Sequence, residues 1–292
     1  MHAQVPINRK IARINFDETC VQIFNKELRG NLTRRARIQK RQPRSLKRDT
    51  HGLNPKLALS HIVFICDDPL VQKKLPQILL VRSQALDADT CERLERESKS
   101  NIKIIRMKRA WATETAIKEA FILLRVALFE FRLTHEFIIY TDAFRSHLTK
   151  GVWRCAGASR VQYCIIPASL TWALQPCDTH AIGGYKRVLL LLWSRRYSHH
   201  SRLAMSLAEV ICCIDTATIT YLETERWCNA FNHVGLVGHQ ELVSWNVLEK
   251  LGFADIPPTT KSLPTLKHLM DIFPAGSILP LDDMFLYTLQ LS

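Results

Sequence analysis

Two short apolar runs, Phe137-Ile-Ile-Tyr140 and Val161-Gln-Tyr-Cys-Ile-Ile166, decide the fold predicted for this chain. The first run ends at Thr141-Asp142 and the second is stopped by Pro167, as expected of buried strands. Residues 144–158 between them are long enough for a crossover helix, so the predicted order is strand, helix, strand. Strands connected in this way lie parallel in one sheet.

Helical patterns flank this unit on both sides. Upstream, apolar residues recur at helical spacing from Ile117 to Phe131, and Thr113 suits an N-terminal cap. Downstream, the same spacing returns from Ile182 to Trp193, and residues 203–251 are helical in pattern. The last residues, 252–292, contain five prolines and predict a loosely packed C-terminal extension.

The beginning of the chain has the pattern of a strand. Ile11-Ala-Arg-Ile-Asn-Phe-Asp17 alternates strictly between apolar and polar residues, which predicts a half-buried strand that ends in an acid. The apolar runs His61–Cys66 and Ile78–Val81 predict a hairpin-like pair of strands with a longer connection. Residues 84–100 are acidic and polar, which indicates a surface linker or an exposed helix.

Together these elements predict an α/β protein with three layers and a mixed central sheet. We assign this domain to residues 1–200 and a helical, proline-containing extension to residues 201–292.

Positive charge is concentrated near the N-terminus. The chain has 40 Lys and Arg against 27 Asp and Glu, a net charge of +13, and residues 26–48 hold ten of the basic residues with a single acid, Glu27. A strongly basic balance favours polyanionic partners such as nucleic acid or an anionic membrane. A solvated loop or a nuclear-import signal explains residues 26–48 equally well.

Several classes of protein are excluded by the composition. The apolar stretches are far shorter than the ~18 residues of a membrane span, and the N-terminus has no secretory pattern, so we expect a soluble intracellular protein. Nine cysteines without a C-x-x-C pair argue against a disulfide framework and a zinc ribbon. Neither His199-His200 with Cys212-Cys213, nor Cys228 with His233 and His239, has the spacing of a closed zinc site.

Three acids fall where predicted elements end or begin: Asp17, Asp142 and Asp178. Because the carboxyl ends of parallel strands converge, these side chains could lie together. Such a cluster repels itself unless divalent cations occupy it, and two Mg²⁺ ions about 3.5–4 Å apart can support phosphodiester cleavage. The alternative is that each acid is a separate cap or turn residue.

Three segments resemble the motifs of one family. Asn15-Phe-Asp-Glu-Thr19 resembles N-[MF]-D-E-T, and Asp142 with His147 resembles D-x-x-x-x-H. Ile166-Pro-Ala-Ser-Leu-Thr-Trp-Ala-Leu-Gln-Pro-Cys-Asp178 resembles L-P-P-x-x-T-x-x-L-Q-P-x-D and is the most specific of the three. On these residues the chain resembles the DDE-type transposases of the mariner/pogo group, the branch that includes Tigger, jerky and CENP-B-like proteins. The resemblance covers roughly residues 11–235.

The resemblance implies an RNase H-like domain that cuts and joins DNA strands in the nucleus. Asp17, Asp142 and Asp178 would be the catalytic acids and would hold two Mg²⁺ (or Mn²⁺) ions. His147 and Gln175 would support these acids without binding the ions directly. DNA would be the partner, no membrane would be involved, and homodimer formation is left open. The residues implied in DNA contact are basic: Arg34, Arg35, Arg37, Lys40, Arg41, Arg44, Lys186 and Arg187.

The chain departs from the family at two places. Ala143 stands where relatives often have Asn or Gly, so a side-chain amide that could orient a metal ligand is missing. Only sixteen residues precede Asp17, where family members carry helix-turn-helix modules, so we expect a catalytic domain without its sequence reader. Two hypotheses therefore stand: a metal-dependent DNA endonuclease or transposase domain, and an inactive, domesticated nucleic-acid-binding or interaction protein that retains the fold.

Overall fold

A mixed six-stranded sheet is the centre of the fold in the computed structural model, which describes residues 9–22, 58–167, 170–199 and 206–237. The strands are β1 (Lys10–Gln22), β2 (Ala58–Cys66), β3 (Gln77–Arg82), β4 (Ile102–Met107), β5 (His135–Asp142) and β6 (Val161–Ile166). Their order across the sheet is β4-β3-β2-β1-β5-β6. The pairs β1–β2 and β2–β3 are antiparallel, and the pairs β3–β4, β1–β5 and β5–β6 are parallel.

Helices connect the strands and follow the last one. They are α1 (Pro69–Gln72), α2 (Ala88–Glu97), α3 (Glu114–Ala127), α4 (Lys150–Ala158), α5 (Thr171–Leu174), α6 (Ile182–His199), α7 (Leu207–Ala217) and α8 (Cys228–His233). A short 3₁₀ helix, Phe129–Phe131, follows α3, and π-helical turns, Cys177–Ala181 and Thr218–Leu222, precede α6 and follow α7. Among the described residues, no helix is long and apolar enough to cross a membrane.

Helices cover both faces of the sheet, so the fold is a three-layer α/β structure. On one face, α3 and α4 pack on β1, β2, β3 and β5 around Phe16, Phe64 and Phe121. On the other face, the second core joins α2, α6, α7 and α8 to the sheet around Val63 and Tyr185. Each layer buries the apolar side of its helices, and this hydrophobic burial is the main source of stability.

The local predictions for β5, α4 and β6 are confirmed. Thr113 caps α3, because its hydroxyl accepts a hydrogen bond from the N–H of Ala116. The runs before and after the Asp67-Asp68 turn pair as the antiparallel strands β2 and β3. Strand β4 was not predicted: its sequence, Ile-Lys-Ile-Ile-Arg-Met, is short and, among the described strands, lies at the edge of the sheet beside β3.

The first strand differs from its prediction in two respects. It does not end at Asp17, because β1 continues to Gln22 in antiparallel pairing with β2. It is also not half-buried: Ala12 and Ile14 are fully buried as expected, but Asn15 on the opposite face is fully buried too. The reason is that a second helical layer covers that face, which the alternation of β1 alone cannot reveal.

Two predicted regions lie outside the described residues. The basic segment 26–48 and the proline-containing residues 252–292 are both outside them. Within the described part, α7 and α8 contribute buried residues to the same core as α6 and the sheet. The division between a domain and an extension near residue 200 stays a prediction.

Candidate active site

Asp17 and Asp142 lie on neighbouring parallel strands. The register between β1 and β5 pairs Asn15 with Tyr140, and each acid lies two residues beyond its member of that pair. Side chains two residues apart on a strand point to the same face, and adjacent strands are about 4.8 Å apart. Both acids therefore lie at one end of the parallel β1–β5 pair, as the sequence predicts.

Asp178 reaches the same place from the segment that follows β6. It is an exposed residue in the π-helical turn Cys177–Ala181, which leads directly into α6. Its charge and that of Asp142 both act on the Asp17 carboxyl and raise its pKa. The three predicted acids are thus brought together, although they come from three separate elements.

Asn15 holds these three elements in place. The side chain is fully buried. Its Nδ2 donates a 2.9 Å hydrogen bond to the carbonyl oxygen of Tyr140 on β5, and its Oδ1 accepts a 2.7 Å hydrogen bond from the N–H of Cys177. One amide therefore ties β1 to the strand that carries Asp142 and to the turn that carries Asp178. Sequence reasoning missed this role, although Asn15 lies on the same strand face as Asp17.

The Asp17 carboxyl is strongly perturbed. Burial is the largest cause that raises its pKa to about 9, and the nearby charges of Asp178, Glu18 and Asp142 raise the pKa further. A carboxyl with so high a pKa keeps its proton at neutral pH in the metal-free protein. A bound cation would supply the positive charge that this group of carboxyls lacks.

His147 supports the cluster on the opposite side of the sheet. It is fully buried, with Nδ1 2.7 Å from Oδ1 of Asp142 and Nε2 2.9 Å from Oε1 of Glu18. Burial alone lowers the pKa of this imidazole, but hydrogen bonds to Asp142 and Glu18 and their charges outweigh burial and raise it to about 10. Protonated His147 thus donates to a carboxylate at each nitrogen and orients Asp142. Glu18 was not predicted as a site residue, and its signal is its place beside Asp17.

The donor set suits Mg²⁺ in its chemistry. Carboxylate oxygens are the hard ligands that this ion prefers, and the raised pKa of Asp17 reflects first its burial and then the neighbouring negative charges. Gln175 is almost fully buried, and its Oε1 has no hydrogen-bond partner among the described residues. In the part of the chain that the structure describes, however, no three His, Cys, Asp or Glu side chains are already arranged as a complete metal site. Asp17, Asp142 and Asp178 would hold an ion only with some side-chain adjustment.

The predicted DNA-contacting residues divide into two groups. Lys186 and Arg187 are exposed on α6, about two turns beyond Asp178. The others, Arg34, Arg35, Arg37, Lys40, Arg41 and Arg44, lie outside the described residues. Ala143, the departure from the family pattern, is half-buried directly after Asp142.

A scan against models of known protein families and a search of curated proteins found no match to this chain.

Replacement of Asn15 tests the buried clamp. We expect Asn15→Ala to lower the free energy of unfolding by about 2–5 kcal/mol, because it leaves the Tyr140 carbonyl and the Cys177 N–H buried without partners. Urea unfolding followed by circular dichroism measures this loss. Asn101→Ala is the matched control: that side-chain amide makes one exposed hydrogen bond, to the Lys74 carbonyl, and its loss should lower stability by less than about 1 kcal/mol. Equal losses in the two variants would contradict the clamp.

Proposed function

We propose that this chain contains an RNase H-like DDE-type nuclease domain of transposon origin that cuts or joins DNA strands with two Mg²⁺ (or Mn²⁺) ions. The observation that carries the proposal is the placement of Asp17 and Asp142 at one end of the β1–β5 pair, with Asp178 near enough for its charge to act on Asp17. Independent cap or turn residues, the alternative for these acids, would not need to share one site.

The topology supports the same proposal. An antiparallel meander, β1–β2–β3, is followed through helices by β5 and β6, which lie parallel to β1 on its other side. The acids occupy the ends of the central parallel pair and the segment after β6. In an α/β sheet, the carboxyl ends of the strands are where ligands bind.

Each acid has a distinct role in this proposal. Asp17 and Asp142 would bridge or flank the two ions, and Asp178 would hold one of them. When bound, the ions would activate an attacking water or hydroxyl and stabilise the leaving oxygen. His147 holds the Asp142 carboxylate in one orientation through a 2.7 Å hydrogen bond, so less ordering is needed when a metal enters.

Two exposed basic side chains lie on α6, the helix that follows the turn carrying Asp178. Lys186 and Arg187 are available on α6 for contact with a phosphate backbone, which supplies affinity without base specificity. A DNA-cleaving role implies a nuclear location. The homodimer stays a prediction.

Nicking of supercoiled plasmid tests the proposed function. We expect the wild-type chain to convert supercoiled to open-circular DNA with Mg²⁺ or Mn²⁺ but not with EDTA, and Asp142→Ala to abolish the conversion. Asp89→Asn, which changes an exposed acid on α2, should nick like the wild type.

The outcome also separates the two hypotheses. A wild-type chain that binds DNA in a gel-shift assay but does not nick it would favour the inactive, domesticated protein. Cleavage that persists unchanged in Asp142→Ala would indicate a contaminating nuclease and overturn the assignment of the acids.

A further inference from the structure

Two histidines from separate elements face each other beside the π-helical turn that carries Asp178. His180 lies in that turn, and His233 lies in the last turn of α8. Nε2 of His180 is 3.3 Å from Nδ1 of His233, and the ring centroids are 5.4 Å apart. The two residues are far apart in sequence, so no ligand-spacing motif could predict that they form a pair.

The distance between the two nitrogens is close to that between two imidazole nitrogens bound to one metal ion. Imidazole nitrogens bind zinc at about 2.0–2.1 Å, so two of them on one tetrahedral ion lie about 3.3–3.4 Å apart. The two rings would turn so that both lone pairs converge on an ion beside the line that joins the nitrogens. Without an ion, one ring nitrogen must donate its proton to the other.

Hydrogen bonding favours one tautomer of His180. The Thr179 hydroxyl is placed to donate to the Gln175 carbonyl at 3.0 Å, and it then accepts from Nδ1 of His180, 2.7 Å away. In that tautomer His180 carries its proton on Nδ1 and leaves the lone pair of Nε2 for His233. A histidine whose second nitrogen donates to a fixed acceptor is the usual arrangement of a metal ligand.

The backbone around both histidines is well supported. The carbonyl of His180 accepts a 3.3 Å hydrogen bond from the Tyr221 hydroxyl, and a Cβ at Gly184 would lie 1.9 Å from that hydroxyl oxygen, so the turn and the Thr218–Leu222 segment approach closely. Helix α8 ends just after His233, at Gly235, which has a φ of 77°. Since His233 is exposed and His180 is half-buried, an ion can enter from solvent.

We propose that His180 and His233 form a binding site for a divalent transition-metal ion of the zinc class, with Nε2 of His180 and Nδ1 of His233 as ligands and water completing the coordination shell. The described residues supply no third His, Cys, Asp or Glu ligand to this pair. Imidazole favours Zn²⁺, Ni²⁺ and Cu²⁺, whereas Mg²⁺ favours oxygen ligands. The site is therefore distinct from the carboxylate cluster and does not depend on the proposed nuclease.

An ion at this position would link α8 to the turn that carries Asp178. Because it binds only the folded state, it would stabilise the packing of α8 by mass action.

Titration with Zn²⁺ by isothermal calorimetry, in a buffer that contains excess Mg²⁺, tests the site. We expect His180→Ala and His233→Ala each to weaken one zinc-binding event by about tenfold or more. Thr179→Val should weaken the same event by about 10–100-fold, the usual effect of removing a partner of a metal-bound histidine. Zinc bound by cysteines elsewhere is common to all variants and cancels in the comparison.

Matched controls separate a ligand role from a structural one. Thr220→Val removes a hydroxyl that, like that of Thr179, donates to a carbonyl four residues earlier, but it has no histidine partner. Asn232→Ala changes the exposed neighbour of His233. Both variants should bind zinc as the wild type does.

Identical zinc affinity in the wild type, His180→Ala and His233→Ala would overturn the site and leave a simple hydrogen bond between two rings. Nicking with Mg²⁺ should persist in His233→Ala. A chain that binds zinc here but does not nick DNA would therefore refute the nuclease and leave this site intact. A chain that nicks DNA but binds no zinc at these histidines would refute this site and leave the nuclease intact.

Discussion

Replacing Asp17 with asparagine is expected to abolish metal-dependent DNA cleavage and, at the same time, to make the metal-free protein more stable. Cleavage should fall at least about a hundredfold, since a neutral amide could not replace the charged ligand that the proposed two-ion site requires. The free energy of unfolding at pH 7.5 should rise by about 2–4 kcal/mol, because the variant no longer buries a carboxyl beside Asp178, Glu18 and Asp142.

The pH dependence of stability should reveal the same carboxyl. The pKa of Asp17 is about 9 in the folded protein and about 3.8 in the unfolded chain, so folding takes up a proton between these values. In the metal-free wild type this carboxyl therefore makes stability fall as pH rises from about 4 to 9. Asp17→Asn should remove that decline, which urea unfolding at several pH values would measure.

A second acid, Asp215, is the control with the opposite sign. It lies on α7, and although burial raises its pKa, hydrogen bonds from Ser100, Ser98 and Lys99 outweigh burial and lower the pKa below its usual value. Asp215→Asn should therefore reduce stability above pH 4 and leave plasmid nicking unchanged. If Asp17→Asn also reduced stability, burial and the neighbouring charges would not destabilise the ionised Asp17 carboxyl as proposed.

Replacing His147 with alanine is expected to give the largest loss of stability among single substitutions at the site. The change removes a buried cation and leaves Glu18 and Asp142 without their shared partner. Breaking a buried ion pair in this way costs about 3–5 kcal/mol. The loss should be largest below about pH 6.5 and shrink as pH rises from 6.5 to about 10, because the folded protein holds a proton on His147 over this range that the unfolded chain has released.

His135 provides the comparison for His147. It is also buried, but it contacts one carboxylate, that of Asp68, at 3.3 Å. His135→Ala should therefore lose clearly less stability than His147→Ala in the same urea titration. Equal losses would mean that the bridge between Glu18 and Asp142 contributes nothing beyond the burial of one imidazole.

DNA cleavage by His147 variants provides a second measurement of the role of this residue. Because it touches Asp142 rather than DNA or metal, it is a positioning residue. His147→Gln keeps a side-chain amide that can still donate to one carboxylate, so it should retain more nicking activity than His147→Ala. The two variants should also differ in the Mg²⁺ concentration needed for half-maximal nicking, which a purely structural role would not change.

The local elements were predictable because their signals are local. Strand alternation in β1, the apolar runs of β5 and β6, and the 3.6-residue period of α3 depend only on neighbours along the chain. Motif order then predicted that Asp17, Asp142 and Asp178 share a site. The edge strand β4 and the burial of both faces of β1 were not predictable in this way, since they depend on which elements pack against them.

The sequence by itself determined the α/β class and the main helices and strands, because residue periodicity carries that information, and motif order singled out the three acids as candidates. Only the tertiary structure decided that Asn15 joins Tyr140 to Cys177, that His147 bridges Glu18 and Asp142, and that His180 meets His233. These contacts join residues that are distant in sequence. They exist because the strand order and register bring separate segments within hydrogen-bond distance, and no pattern along a single element encodes that distance.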